Sequence, residues 1–125
     1  MKPLLTISAA IEAATGLALL VAPSFPASLL LGSTLDTTTT GSTIARIAGA
    51  GLLALGIACW LERDNAVGAR SLVAAMLFYN AVAAAVFIHA GLGLGLSGLG
   101  LWPAVVLHLA LAIWCIACLR PGSRQ

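Results

Sequence analysis

Four apolar runs, each about twenty residues long, decide what this chain can fold into. They cover residues 3–22, 42–61, 70–90 and 99–119. At about 1.5 Å of rise per residue, each reaches roughly 30 Å as a helix, the thickness of one bilayer core. Lipid cannot pair backbone polar groups, so only helices or closed barrels cross it. Barrel strands would alternate polar and apolar residues over about ten positions. These runs are continuous instead, and rich in the helix formers Ala and Leu. Composition agrees: the 125 residues are 61% hydrophobic and only 8% charged, against about 25% charge in a soluble domain. The expected fold is all-α, a four-transmembrane-helix bundle forming one integral membrane domain over 1–125, with the lipid bilayer as its partner.

The connections carry their own signals. Pro23 and Pro26 end the first run, and "PSFPASLLLG" then resumes as an apolar turn too short to span. It predicts a short interfacial or re-entrant segment ending at Gly32. "STLDTTTTGST" predicts a solvent-exposed loop, with Ser42 or Thr43 capping the next helix. "ERDNAVGAR" reads as a short charged loop, "GLGLGLSGLG" as a flexible hairpin in an apolar interface, and "PGSRQ" as a tail. Lys2 before an apolar run also fits a signal peptide, but Glu12 interrupts the run and "VAPSFPAS" makes a poor cleavage site. The second and fourth runs share a loose pattern, which either an internal repeat or the Ala/Leu composition accounts for.

Basic residues orient such proteins. If four helices alternate, Lys2, Arg63, Arg70, Arg120 and Arg124 share one side, and only Arg46 belongs to the other. The expected location is the bacterial inner membrane with both termini cytoplasmic. A net charge of +2 is too small to point to nucleic acid.

Polar side chains inside a span are costly and face the bundle interior. Glu12 lies roughly 13 Å deep in the first run and Asn80 roughly 15 Å deep in the third, from the same side. His108 lies near the middle of the fourth. Three residues from three runs thus share one depth, which makes them candidates for a ligand or proton site. Ser8, Thr15 and Gly16 share a stripe with Glu12. Ala50, Ala54 and Ala58 form a small-residue stripe on the second run that would let helices approach closely. Arg46, roughly 6 Å from the outer end, either snorkels to the surface or reaches toward Glu12 across roughly 10 Å of depth. Tyr79, beside Asn80, is a further candidate, with interhelical hydrogen bonding as its ordinary use. For Glu12 itself, tying helices together stands beside binding a ligand, proton or ion.

Other chemistry finds little support. His89 and His108 differ in depth by roughly 10 Å, which does not suit a bis-histidine haem. Cys115 and Cys118 lie inside the last helical turns, and with Cys59 they read as packing residues, not a disulfide framework or a metal site. No glycine-rich phosphate loop, nucleophile elbow or HExxH is present. No cofactor, metal or catalytic residue is expected.

"EAATGLALLVAPSFPASLLLG", then "ARIAGAGLLALGIACW", then "FYN" resemble the small four-helix DoxX-like membrane proteins of bacteria. The resemblance covers most of the chain and implies an inner-membrane four-helix bundle. Some of that group are associated with quinone-linked oxidation of sulfur compounds, which makes an accessory subunit of a quinone-linked oxidoreductase one expectation. "AAIEAATG" is also similar to the first helix of small multidrug resistance exporters, whose membrane glutamate exchanges protons against a cationic substrate. Glu12 would match it. The chain departs from those exporters in the long "PSFPASLLLGSTLDTTTTG" connection and in lacking the aromatic residues that line their site. The leading expectation is non-enzymatic: a small binding or accessory membrane component, holding a small apolar molecule or a membrane protein partner through its polar cluster, with self-association as a further option.

Overall fold

The computed structural model describes residues 1–32 and 39–120. Five helices make it up: α1 (Lys2–Val21), α2 (Ser24–Leu31), α3 (Thr39–Glu62), α4 (Ala66–Leu92) and α5 (Leu101–Leu119). Among the described residues there is no strand. Every helix except α2 is long and apolar enough to cross a membrane, so this is a multi-pass, all-α membrane protein of the expected architecture. Residues 33–38, the first part of the expected Thr-rich loop, and residues 121–125, the expected tail with Arg124, lie outside the described residues.

Two boundaries differ from expectation, each for a local reason. Ser42 and Thr43 do not cap α3, which already starts at Thr39; their hydroxyls donate back to the Thr39 carbonyl at 3.2 and 2.6 Å. Such back-bonding lets hydroxyl residues sit inside a helix. The charged loop shrinks to a turn because Asn65 is the true cap of α4. Its Oδ1 accepts from the Val67 and Gly68 amides at 3.2 and 3.4 Å, pairing amides that a helix start leaves without partners. The segment expected to be interfacial is helix α2, closed by Gly32 at φ +69°, a left-handed turn that glycine adopts without strain.

The long helices pack as two antiparallel pairs. α1 lies on α3 with backbones nearly touching. A Cβ on Gly16 would sit 2.6 Å from the Leu53 amide nitrogen, one on Gly49 2.7 Å from the Gly16 carbonyl, and one on Gly56 2.9 Å from the Ala13 nitrogen. Lipid tails are as apolar as leucine, so close backbone packing drives association here. The contact stripe is therefore Gly49, Leu53 and Gly56. Ala50 and Ala54, expected to form it, are exposed. α5 lies on α4, joined along its length by the pairing of His108 with Asn80 and of Arg70 with the Leu119 carbonyl.

The two pairs meet mainly at the end that carries Met1 and Leu119, here called proximal. Leu4 and Leu5 of α1, Cys59 of α3, Val73 and Met76 of α4, and Leu111 and Cys115 of α5 form a buried core there. All three cysteines are buried in this core, and none is in a disulfide. Lys2 pairs with Asp64 at 2.6 Å across the proximal surface. At the distal end α2 folds back beneath the α4–α5 connection. The Gly100 amide donates to Leu29 O at 2.8 Å, and the Gly98 backbone rests on that of Leu30. The Gly-Leu turn, expected as a flexible hairpin in an apolar interface, is thus docked on α2.

Candidate functional site

Because the pairs converge proximally, they leave a cavity of about 580 Å³ between them in the distal half. α1 and α5 form its facing walls, through Ala14 and Ala18 on one side and Ala104 and Leu107 on the other. Phe25, Pro26 and Leu29 of α2 roof it, and Phe87 backs it. Phe25 and Leu29 of α2 and Leu107 of α5 are also exposed, so the cavity is open to the outer surface, where lipid would lie. Its size falls within the roughly 300–1,000 Å³ of ordinary ligand pockets.

The cavity ends, toward the midplane, on polar groups. Glu12 is 1% exposed, Asn80 0% and His108 8%. The Tyr79 hydroxyl donates to Glu12 Oε2 at 3.2 Å, and the Tyr79 ring stands edge-on to the His108 imidazole at 5.7 Å between centroids. Phe87 closes the other side of that imidazole, also at 5.7 Å. His108 Nδ1 pairs with Asn80 Oδ1 at 2.8 Å. Glu12, Tyr79 and His108 line the cavity, while Asn80 stands behind His108, in the seam between α4 and α5.

Asn80 determines the state of this seam. Its Nδ2 donates to the Met76 carbonyl of its own helix at 2.8 Å, which turns Oδ1 toward the imidazole. An amide oxygen only accepts. His108 Nδ1 must therefore carry a proton and donate it to Asn80 Oδ1. At the other edge of the cluster, Glu12 Oε1 and the Ser8 hydroxyl are buried with no hydrogen-bond partner among the described residues. Buried polar atoms are nearly always paired, so an orphaned carboxyl oxygen beside a cavity is informative.

The remaining candidate residues lie elsewhere. Arg46 does not reach Glu12: it is exposed at the distal surface and donates through Nη1 to the Leu20 carbonyl. This is the snorkelling arrangement. His89 is exposed near the distal end of α4, about 13 Å along the helix from Asn80, and does not join His108. Among the described residues no three His, Cys, Asp or Glu side chains gather as a metal site. Of the stripe on α1, Gly16 turns to α3 and Thr15 to the cavity. A second cavity, about 360 Å³ at the proximal surface, is lined by Lys2, Arg63 and Asp64, which pair with one another.

Sequence reading did not foresee the cavity or the roles of Phe87 and α2 in it. Phe87 is one apolar residue among many, and no periodicity distinguishes a wall from a lipid-facing surface. Pro26 was visible, but as helix punctuation only. No protein-family model, curated protein or solved structure matches the chain.

Proposed function

We propose that this protein binds a small, lipid-soluble molecule, which enters from the bilayer between α1 and α5 and lodges against Glu12, Tyr79 and His108. The observation that carries this reading is an apolar cavity, open to the outer surface, whose inner end holds a buried carboxyl oxygen without a partner. Apolar walls with a few convergent polar groups are the ordinary makeup of a ligand site. No step of covalent chemistry is implied; the role is that of a binding or accessory component. The chain sits in the bacterial inner membrane, in a DoxX-like layout, with its proximal end in the cytoplasm. Lys2, Arg63, Arg70 and Arg120 support that orientation, since all belong to the proximal end, and basic residues favour the cytoplasmic side.

A tryptophan at Ala104 would fill the cavity from the α5 wall. Native mass spectrometry of gently extracted protein should show a bound small molecule in the native chain. Ala104→Trp should lose it, and Ala110→Trp, on an exposed face of the same helix, should retain it. A native chain that carries only loosely associated lipid, or an Ala104→Trp variant that keeps the same adduct, would refute the reading.

A further inference from the structure

The proximal surface carries most of the charge of the molecule. α1 starts at Lys2, α3 ends at Glu62, α4 starts at Ala66 and α5 ends at Leu119, so all four spanning helices end at one level. Lys2, Arg63, Arg70 and Arg120 gather there against two carboxyls, Glu62 and Asp64. Trp60, half exposed just inside that level, is of the residue type that settles at a membrane–water boundary. The Arg63 guanidinium lies over its ring at 3.6 Å. The cavity of about 360 Å³ sits at this level, with Lys2, Arg63 and Asp64 as its polar side and Ala66, Ala69 and Cys118 as its apolar side.

The charges in this pocket do not balance. Asp64 Oδ1 takes Lys2 Nζ at 2.6 Å, and Oδ2 faces Arg63 Nε at 3.5 Å. One carboxylate thus serves two cations. Arg63 Nη1 also donates to the Trp60 carbonyl. An ammonium has three N–H groups and a guanidinium five, so both cations keep donors to spare, and the pocket keeps one positive charge in excess. Both Asp64 oxygens are engaged, which leaves no carboxylate for an added ammonium. We infer that this pocket holds the headgroup of an anionic phospholipid, with its phosphate between Lys2 and Arg63. Basic pockets between spanning helices at headgroup level suit such lipids. Leu61 and Val67, on either side of the turn that carries Arg63 and Asp64, are 70% and 80% exposed. They offer apolar surface to the first acyl carbons, which a soluble phosphate cannot use. The site is separate from the distal cavity and does not depend on what that cavity binds.

Native mass spectrometry tests this on the full chain in detergent with equal amounts of phosphatidylglycerol and phosphatidylcholine. One Lys or Arg beside anionic lipid changes binding by about fivefold. With one charge in excess, the native chain should retain phosphatidylglycerol about fivefold over phosphatidylcholine. Lys2→Gln and Arg63→Gln each cancel the excess and should bring the two lipids to near parity. Asp64→Asn doubles it and should raise the preference to about 25-fold, an increase that damage to the fold would not produce. Arg46→Gln at the distal surface and Ala104→Trp in the distal cavity should leave the native preference unchanged. Equal retention of both lipids by the native chain, or a preference that survives both glutamine variants, would overturn the headgroup site. Displacement of phosphatidylglycerol by an equal concentration of glycerol phosphate would overturn the lipid as its occupant and leave a soluble phosphate in its place.

Discussion

The two halves of this molecule are built from the same four helices and the same few residue types, yet one is solid and the other hollow. In the proximal half, leucine, methionine, valine and cysteine from every spanning helix meet in one core. In the distal half the walls of α1 and α5 mix Ala14, Ala18 and Ala104 with Ile11, Leu19, Pro103 and Leu107, and the space they leave is spanned by α2. Small residues have opposite effects in the two places. On the α1–α3 seam, Gly16, Gly49 and Gly56 face another backbone, and smallness brings helices together. On the cavity walls Ala14 and Ala18 of α1 and Ala104 of α5 stand apart across the cavity, and smallness leaves a void. What differs is whether the second helix is packed against the first, a property of the assembled bundle and not of any one residue.

That contrast can be broken by mutation. Met76→Ala removes a fully buried side chain from the proximal core and should cost about 2–3 kcal/mol. Leu107→Ala, in the cavity wall, should cost less than about 0.5 kcal/mol, because its neighbours already border empty space. Thermal unfolding of both variants in nanodiscs compares them directly; equal losses would mean that the distal half is packed as well. Next in size, Gly49→Ala sets a methyl against the Gly16 carbonyl and should destabilise by about 1–2 kcal/mol, whereas Gly51→Ala, where an added Cβ meets nothing within 4 Å, should be neutral or slightly stabilising.

Smaller still is the loss expected for Asn80→Leu. It removes the partner of His108 Nδ1 and should cost about 1 kcal/mol, in keeping with interhelical hydrogen bonds in membranes. Unlike the packing variants, it should also change the His108 nitrogen-15 spectrum. The smallest effect belongs to the proximal surface. The hydrogen bond from Lys2 holds the Asp64 carboxyl below its ordinary value of 3.8, with Arg63 adding to the effect. A depressed carboxylate stabilises the folded state above its unfolded value, and that contribution is lost as pH falls through the lowered folded value. Lys2→Ala should therefore leave melting near neutral pH almost unchanged, as for exposed pairs generally, and should reduce any native-chain loss specific to the range below 3.8, the remainder belonging to Arg63.

How much of this was legible beforehand differs by kind of property. Span number and position follow from the length of apolar runs, which one chain carries on its own. The common depth of Glu12, Asn80 and His108 follows from helix rise alone, and the three do lie around one point. Azimuth was not legible. Tyr79 and Asn80 are consecutive, so their side chains point about 100° apart; one serves Glu12 on α1 and the other His108 on α5. Only knowing which helices pair shows that both belong to one cluster. The pairing itself rests on glycines at 16, 49 and 56, and the alanines at 50 and 54 made an equally good small-residue stripe on paper. Asn65 was hidden for a different reason: a cap in the middle of "ERDNAVGAR" looks like loop until its side chain is seen to take two amides.

The central claim is that the distal hollow, and not the lipid-facing surface at large, receives a bilayer-soluble molecule. Photolabelling tests it most directly. A long-chain alcohol carrying a diazirine partway along its chain, partitioned into nanodiscs with the native chain, should label Ala18, Ala104 and Leu107 above all other positions, and excess dodecanol should suppress that labelling. Labelling spread evenly over outward-facing residues such as Val86 and Ile113, unaffected by dodecanol, would contradict the account.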